Sequence, residues 1–400
     1  MEHLKERIHQ LAINNQPQVV AIRRHLHANP ELSFEEFNTA KFIAKTLKDL
    51  GFTVQEGIAN TGSVVLIQGK NPLKKTIALR ADIDALPIQE QNNIAYKSKV
   101  DGVMHACGHD VHTSSLIGTA MILNSLKDHF EGTVKLIFQP AEEKAPGGAI
   151  AMIKEGVLEN PAPSIILGQH VYPILPVGKV GFTKGTIMAS TDELHITVKG
   201  KGGHAASPHL AVDPILIASH LIVALQQIVS RNTDPIKPCV VSICQIKGGD
   251  TTNVIPEEVY LAGTLRTISE DWREEAKKRI IHLSQSIAEG MGGQCEVIIK
   301  GGYPATYNDP ILTGRTIEAA RSYLGKDNIE YVDMSMAGED FAYFAQQIPG
   351  CFYLIGVQNN SIGINSFVHT PTFNVDEKVL AIAPGLMAWL TLNELAYNNN

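Results

Sequence analysis

The chain has 400 residues, 44% of them hydrophobic and 19% charged, and a formal net charge of -7 at pH 7. This length and composition suit a globular protein with two cores, and the negative charge argues against a nucleic-acid surface. Five scattered cysteines form no disulfide framework and favour a reducing compartment. No secretory pattern opens the chain, and no apolar run approaches the ~20 residues that span a bilayer. We therefore expect a cytoplasmic protein without nucleic-acid or membrane partners.

The first half of the chain alternates helices with strands. Apolar residues at helical spacing predict a helix that stops at Pro30, and Ser33 with Glu36 forms a capping-box pattern that opens a second helix ending near Gly51. Helices are then predicted at Thr113–Leu126 and Gly148–Glu155, and strands at Ser63–Ile67, Thr76–Ala81, Thr133–Phe138 and Ile165–Val171. This order predicts an α/β fold with a mainly parallel sheet, in which ligands collect beyond the carboxyl ends of the strands.

The pattern changes near Thr186 to the order βαββαβ, which is typical of a ferredoxin-like sandwich. Its predicted elements are Glu193–Val198, Pro214–Val229, Val240–Ile246, Glu258–Leu265, Trp272–Ala288 and Gln294–Ile299. We expect residues 186–300 to form an inserted domain and residues 1–185 and 301–400 to form the domain that carries it. The α/β pattern resumes with helices Pro310–Leu324 and Val379–Tyr397 around strands Ile329–Val332 and Phe352–Ile355. The asparagine tail, 398–400, is expected to fray.

Metal-ligating residue types are densest from Met104 to His112. Three histidines, Cys107 and an aspartate lie within nine residues, and Gly108 permits the tight turn that aims Cys107 and His109 inward. Sulfur with imidazole suits zinc or another late first-row ion, whereas carboxylates elsewhere would shift the preference toward manganese. The alternative is a buried cysteine beside surface histidines. The density of ligand types favours a metal site.

Three further groups of polar residues follow predicted strands. Glu142 and Glu143 come after an apolar strand, where one glutamate can bind a metal while its neighbour takes a proton from water. An exposed acidic loop is the alternative. His170 ends another strand, and His369 lies in a loop; each alone would fit a core histidine. Because all of these lie beyond strands of one predicted sheet, we expect them to share a site.

These motifs together resemble the M20 metallopeptidase family. They are, in chain order, Arg80–Pro87, His105–His112, Gln139–Glu143, Gly200–Ala205, Thr252–Pro256 and Gly338–Phe341. The chain is most similar to the amidohydrolase branch, which contains N-acyl-amino-acid, hippurate and indole-acetyl-amino-acid hydrolases and N-acetyl-diaminopimelate deacetylases. The resemblance spans nearly the whole chain and is specific for the branch rather than for a substrate.

The resemblance implies a two-metal centre with Glu142 as the general base. The divalent ions would be zinc or manganese, with cobalt and nickel as further candidates, and the implied ligands are Cys107, His109, Glu143, His170 and His369. Asp84 matches a catalytic aspartate that orients a metal-ligating histidine two residues earlier in other branches. That earlier position is Asp82 here, which leaves open whether Asp82 touches metal and what Asp84 orients. His112 could support His109 from the same helix face or be a surface histidine.

The inserted domain would supply the groups that face the substrate. By resemblance, His204 stabilises the oxyanion, often in the active site of the other subunit, and Asn253 joins it. Arg266 matches an arginine that holds the substrate carboxylate, although a rim ion pair is an equal alternative. Gly338 would lie in a loop that lines the pocket.

The implied reaction is metal-assisted hydrolysis of an N-acyl amino acid to a carboxylic acid and an amino acid. Glu142 would deprotonate the water that attacks the acyl carbonyl and then pass the proton to the leaving amine. A dipeptidase or carboxypeptidase on the same scaffold is the main alternative, and an N-acetyl-diaminopimelate deacetylase is another. A non-catalytic binding protein would be favoured by a missing ligand or base, and none is missing.

The helix Pro214–Val229 is more apolar than one sheet face needs. The excess fits either a subunit interface or tight packing against another domain. Because the edge of a ferredoxin-like sheet also favours pairing with a second copy, we expect a homodimer through the inserted domain. His204 would then serve the neighbouring site, or close over its own through a hinge near Thr186 and Lys300.

Overall fold

The computed structural model describes residues 2–397; residue 1 and residues 398–400, which include the tail expected to fray, lie outside the described residues. The α-helices are α1 (Glu2–Ala28), α2 (Phe37–Asp49), α3 (His109–Ser125), α4 (Gly148–Lys154), α5 (Pro214–Gln227), α6 (Glu270–Gly290), α7 (Pro310–Leu324), α8 (Phe341–Ala345) and α9 (Val379–Ala396). The strands are β1 (Val54–Ile58), β2 (Gly62–Gln68), β3 (Thr76–Asp82), β4 (Thr133–Gln139), β5 (Ile165–Pro176), β6 (Val180–Phe182), β7 (Gly185–Met188), β8 (Ser190–Lys199), β9 (Gly203–His204), β10 (Cys239–Lys247), β11 (Val254–Ile255), β12 (Glu258–Thr267), β13 (Gln294–Gly301), β14 (Thr306–Asn308), β15 (Ile329–Tyr331) and β16 (Gly350–Gln358).

The chain divides into two compact units. Unit 1 comprises Met1–Ile187, Tyr307–Asp333 and Asp340–Asn400, and unit 2 comprises Met188–Thr306 and Met334–Glu339. The main sheet of unit 1 has the strand order β1-β2-β4-β3-β5-β16-β6-β15. Its centre, β4-β3-β5-β16, pairs in parallel, and β3 and β4 are buried along their whole length. Helices α1, α3 and α9 pack together in this unit.

Unit 2 contains a four-stranded antiparallel sheet in the order β10-β12-β8-β13. Helices α5 and α6 contact this sheet and each other, and they share one apolar core with it. Along the chain the elements run β8-α5-β10-β12-α6-β13. This is the predicted βαββαβ order, so the predicted fold class, a mainly parallel α/β sheet with a ferredoxin-like insertion, is confirmed.

The structure corrects several predicted elements. The capping-box prediction is wrong, because α2 begins after Glu36 without a side-chain cap. Helix α3 begins at His109 instead of Thr113, and β5 continues to Pro176, so His170 lies within the strand rather than at its end. Strand β1 was missed because its three central residues are exposed and polar or glycine, which leaves no apolar alternation to detect.

Two helices are long and apolar enough to cross a membrane, judged only by length and composition: Pro214–Asn232 and Val379–Ala396. The expectation that no apolar stretch approaches this length is therefore wrong. It considered uninterrupted apolar runs, whereas both helices carry scattered polar residues within an apolar average. The second helix is 78% buried in the protein, and the first is 33% buried.

A buried ionic network fixes the first turn of α3 against α1. Arg23 Nε donates to Asp110 Oδ2 at 2.7 Å, and His27 Nδ1 lies 2.9 Å from the same oxygen. Burial alone would raise the pKa of Asp110, but Arg23 and His27 hold it well below its usual range. Because Asp110 follows His109, this network also fixes the backbone at the candidate metal site.

Candidate metal centre

Gly108 makes the turn that brings Cys107 and His109 to the same site. It adopts a left-handed conformation with φ of 83°, and a Cβ there would lie 2.5 Å from a Val171 methyl group. Only glycine fits both constraints. His109 is the first residue of α3, so the turn places its ring beside the Cys107 sulfur at the helix start. The predicted tight turn at Gly108 is confirmed.

The five expected metal ligands lie together in unit 1. Cys107 Sγ is 3.3 Å from His170 Nε2 and 3.3 Å from His369 Nε2. Glu143 Oε1 is 3.3 Å from His369 Nε2 and 3.8 Å from His109 Nε2. They come from the segment just before α3 and its first residue, the loop after β4, the interior of β5 and the loop between β16 and α9.

Asp84 contacts His109 and fixes its tautomer. His109 Nδ1 is 2.9 Å from the Asp84 carbonyl oxygen and 3.1 Å from Asp84 Oδ1, so this nitrogen carries the proton. The lone pair of Nε2 then faces the other donors, which is the arrangement that metal-binding histidines use. The buried Nε2 atom of His109 has no hydrogen-bond partner among the described residues.

His170 and His369 also present Nε2 to the cluster. His170 Nδ1 donates to the Val171 carbonyl at 2.7 Å, which leaves Nε2 as the electron-pair donor. His369 lies in a loop with φ of 60°, and its backbone N–H donates to the Ala106 carbonyl. That bond joins the His369 loop to the segment that carries Cys107.

His112 is not a surface histidine, so that alternative is wrong. Its ring is buried, with Nδ1 2.6 Å from Asp82 Oδ1, and Val171 N–H donates to Nε2 at 2.9 Å. Both ring nitrogens therefore have protein partners. Asp82 also accepts from Arg80 Nη1 at 2.7 Å. His112 thus links Asp82 to the backbone of β5 next to His170, and the side chains of Asp82 and His112 both bind other protein groups.

Charge and burial set the protonation of the cluster. Burial, followed by Glu143 and Glu142, raises the pKa of the Cys107 thiol well above its usual value. For His109, burial favours the neutral ring, but Asp82, Asp84 and Glu143 outweigh it and raise the pKa to about 10. Without a metal charge, the thiol and the imidazolium of His109 would therefore both hold protons at neutral pH.

The donor set fits metal binding. Among the described residues, several groups of three place one donor atom per residue within 4.8 Å of the others. Those made up only of the five expected ligands and Glu142 are Cys107–His109–His170, Cys107–Glu143–His369 and His109–Glu142–Glu143. The first two groups share the Cys107 sulfur. One thiolate, imidazoles and a carboxylate suit zinc and other late first-row ions, and the glutamates also accept manganese.

The two glutamates follow β4 in a loop that two other segments hold. Glu142 is 6% exposed, and its Oε2 lies 3.9 Å from His109 Nε2. The backbone N–H of Glu143 donates to Asp84 Oδ2 at 2.9 Å. Ser33 contacts Asp84 and Glu36 contacts this loop, and neither contact was predicted from the sequence. The sequence did show two polar residues three positions apart, Ser33 and Glu36, but this spacing is also that of a helix capping box.

His204 and Asn253 are neighbours in unit 2. Strands β9 and β11 pair so that His204 lies opposite Val254, and Ala205 N–H donates to the Asn253 carbonyl at 3.0 Å. Ala206 N–H donates to His204 Nδ1 at 3.0 Å. The ring proton is therefore on Nε2, where it can be donated to a substrate oxygen.

Arg266 and Gly338 also belong to unit 2. Arg266 Nη1 donates to Thr264 Oγ1 at 2.5 Å, and burial lowers the pKa of its guanidinium. The observed hydrogen bond is an intrastrand contact rather than the rim ion pair considered from the sequence. Gly338 packs against Thr191, whose Cγ2 would lie 2.3 Å from a Cβ at this position.

Comparison with known proteins identifies the family of this chain. The family model for peptidase family M20/M25/M40 matches residues 78–392. The chain belongs to this family. N-acetyl-L-cysteine deacetylase of Bacillus subtilis is 42% identical over 91% of this chain and 85% of that protein. Thermostable carboxypeptidase 2 of Saccharolobus solfataricus is 40% identical over 92% of this chain and 94% of that protein.

A solved structure agrees with this assignment. The Bacillus subtilis YXEP protein, described as a dinuclear metal-binding peptidase of family M20, superposes with a TM-score of 0.81 at 37% identity, covering 95% of this chain and 98% of that one. The resemblance to the amidohydrolase branch is therefore confirmed, and the protein is an M20-family hydrolase. The roles of individual site residues stay predictions that the geometry supports.

Replacing Cys107 should reduce metal content in this M20 hydrolase. Its sulfur is common to two donor groups, so Cys107→Ala is expected to lower bound metal by about one ion or more per chain after equilibration with zinc. The measurement is elemental analysis after desalting. Cys351→Ala is the matched control, because Cys351 is also buried but belongs to none of these groups. Equal metal content in the two variants would contradict the assignment.

Metal affinity should rise with pH. Cys107 and His109 both have raised pKa values in the absence of a metal charge, so both must lose a proton before they can ligate. Each displaced proton weakens binding about tenfold per unit of pH lowered. Calorimetric titration with zinc between pH 6 and 8, in buffers of different ionisation enthalpy, measures the protons released. Cys107→Ala should release about one fewer; equal release would count against thiolate ligation.

Proposed function

We propose that this M20 hydrolase cleaves the amide bond of N-acyl amino acids, releasing a carboxylic acid and a free amino acid. The observation that carries the proposal is the position of Glu142. Its carboxylate lies beside the donor groups in a buried site, 3.9 Å from His109 Nε2. A carboxylate at that distance from a metal ligand suits a general base. The deacetylase relative, named for an N-acetyl amino acid, supports this substrate class.

We further propose that the site holds two divalent metal ions, zinc or manganese, with cobalt and nickel as alternatives. His109 and His170 with Cys107 would hold one ion, and Glu143 and His369 with Cys107 the other. When bound, such ions polarise the acyl carbonyl and lower the pKa of water. The relative described as dinuclear supports the stoichiometry.

Each remaining step of the proposed reaction is assigned to a residue of this protein. Glu142 takes a proton from the attacking water and returns it to the leaving amine. Asp84 holds the tautomer of His109, so that Nε2 stays available. His204 Nε2–H would donate to the oxyanion, with Asn253 beside it, and Arg266 would bind the substrate carboxylate through its planar fork. Gly338 would lie in the pocket-lining loop.

A carboxypeptidase or dipeptidase is the second candidate, because a relative of nearly equal identity is named a carboxypeptidase. An N-acetyl-diaminopimelate deacetylase is a narrower version of the first proposal. All three cleave an amide whose nitrogen belongs to an amino acid. They differ in the group on the acyl side, which is a simple acyl group in the first and third cases and an aminoacyl or peptidyl group in the second.

A substrate panel separates these candidates. We expect zinc- or manganese-loaded protein to hydrolyse N-acetyl and N-benzoyl amino acids faster than dipeptides or longer peptides, measured by released amine. Glu142→Gln should keep its metal and lose at least ~10²-fold in kcat, the scale of general-base removal. Glu143→Gln should instead lose metal. Faster peptide cleavage would favour the carboxypeptidase, and full turnover by Glu142→Gln would reject its role.

We propose a homodimer formed through unit 2, as a lid and dimerisation domain. Strand β10 is an outer strand of the four-stranded sheet, and α5 exposes Ile215, Leu216 and Val223 to between 40% and 73%. An outer strand next to apolar side chains favours pairing across a two-fold axis. The predicted cytoplasmic location is compatible with this assembly and stays a prediction.

Mixing two inactive variants tests the dimer and the origin of His204 together. If His204 acts in the neighbouring site, His204→Ala mixed with an equal amount of Glu142→Gln should regain about one quarter of wild-type activity, because half of the dimers would carry one complete site. Light scattering gives the mass. A strictly monomeric protein would reject the dimer, whereas subunit exchange without rescue would place His204 in its own site.

A further inference from the structure

The loop that carries Glu142 leaves β4 through a constrained turn. Ala141 is fully buried and has φ of 52°, a left-handed conformation unusual for a residue with a side chain. Its carbonyl accepts from Gly148 N–H at 3.0 Å, which closes the loop at its base. Gly148 is required there, because a Cβ would lie 1.9 Å from the Pro140 carbonyl oxygen. A conformation this unusual persists only where neighbouring groups fix it.

Two buried carboxylates fix the backbone on both sides of Glu142. Ala141 N–H donates to Glu36 Oε1 at 2.7 Å, and Glu143 N–H donates to Asp84 Oδ2 at 2.9 Å. Both acids are fully buried. The residue before Glu142 and the residue after it are thus each bound to a carboxylate from a different part of unit 1, and we call this pair of contacts the clamp.

The segment between α1 and α2 supports both halves of the clamp. Glu36 belongs to it, and its Oε2 accepts from Thr61 Oγ1 at 2.8 Å. Ser33, three residues earlier, donates from its hydroxyl to Asp84 Oδ2 at 2.7 Å. A parallel bridge between Leu32 and Ala85 attaches the segment beside Asp84. Of the two residues that resemble a capping box, Glu36 therefore contacts the loop that carries Glu142, and Ser33 contacts Asp84.

We propose that Glu36, with Ser33, is a positioning residue that fixes the carboxylate of Glu142 for proton transfer. The inference rests on the proposed function, in which Glu142 is the general base. A base must lie within hydrogen-bond reach of the proton it takes, and a shift of ~1 Å can cost ~10²-fold in rate. The clamp holds the Pro140–Ala141 and Glu142–Glu143 peptide groups. Together with the Gly148 N–H, which holds the Ala141 carbonyl between them, it fixes the backbone that carries the Glu142 side chain.

The chemistry of Glu36 fits positioning better than packing. A buried carboxylate costs more to desolvate than an apolar side chain of the same volume, so a site that needed only filling would favour leucine or methionine. Glu36 instead satisfies the Ala141 N–H, which would otherwise be an orphaned buried donor. The strained residue and its acceptor therefore form one functional unit.

The test compares substitutions that remove or keep the acceptor. Glu36→Leu removes it, whereas Glu36→Gln keeps an oxygen for Ala141 N–H and an amide donor for Thr61. Glu155→Leu is the matched control, because Glu155 Oε2 accepts at 2.9 Å from the N–H of Ala59, another alanine in the left-handed region with φ of 49°. Ser33→Ala is a milder second variant should Glu36→Leu fail to fold.

Two independent readouts are needed. Hydrogen–deuterium exchange of the peptide spanning 139–147 reports the clamp without reference to activity, and kcat, KM and metal content report its consequence. We expect Glu36→Leu to exchange faster there and to lose about 10- to 100-fold in kcat, with KM and metal content near wild type. Glu36→Gln should recover most of both losses, Ser33→Ala should lose about two- to tenfold, and Glu155→Leu should match wild type.

Several outcomes would overturn the inference. Unchanged exchange or unchanged kcat in folded Glu36→Leu would do so, as would a Glu36→Gln variant no better than Glu36→Leu. A loss of rate that tracks lost metal or lost folded protein in every variant would make Glu36 merely structural. If wild-type protein hydrolyses none of the substrates, the proposed function fails, and the exchange measurement alone still decides whether Glu36 holds the loop.

Discussion

The carboxylate of Asp84 joins the three segments on which the candidate site depends. It accepts from the Ser33 hydroxyl, the His109 ring and the Glu143 N–H, so one buried group contacts the segment before α2, the start of α3 and the loop after β4. Burial would raise the pKa of Asp84, but these donors lower it overall and keep the carboxylate ionised. His109 and the loop that carries Glu142 consequently cannot move independently, because both are bound to the same charge.

The balance of charge around the site explains why so many polar groups can be buried there. Arg80 offsets Asp82 and also donates to Asp340 at 2.8 Å, while His109 lies beside Asp84. Glu142, Glu143 and an ionised Cys107 would add further negative charge to this largely buried cluster. Divalent cations between them would offset that charge, as expected for buried carboxylates that have been retained. The pKa of the Cys107 thiol is raised because burial and the nearby carboxylates act on it without a compensating metal charge.

Much of this arrangement could be predicted from the sequence, and the exceptions have physical causes. Cys107 and His109 were identifiable because ligand types are densest around them. Glu143 was identifiable because it follows a predicted strand, and parallel strands bring such ends together. The contacts of Ser33 with Asp84 and of Glu36 with the loop after β4 could not be predicted. A capping box and a long-range contact use the same residue types, and only the tertiary fold decides which partner is nearer. His112 was ambiguous for a related reason: its burial depends on the packing of β5 against α3, which local spacing does not encode.

The names of the relatives indicate that the type of reaction and the choice of substrate depend on different residues. Two relatives with 42% and 40% identity are named for an N-acetylated amino acid and for a carboxypeptidase, so overall similarity does not choose between them. Both substrates present an amide nitrogen that belongs to an amino acid with a free carboxylate. In the proposed function, the metal centre would act on the amide and Arg266 would bind the carboxylate of that shared part. Discrimination must therefore come from residues that meet the acyl side, where an acetyl group and a peptide differ in size and in hydrogen-bonding groups.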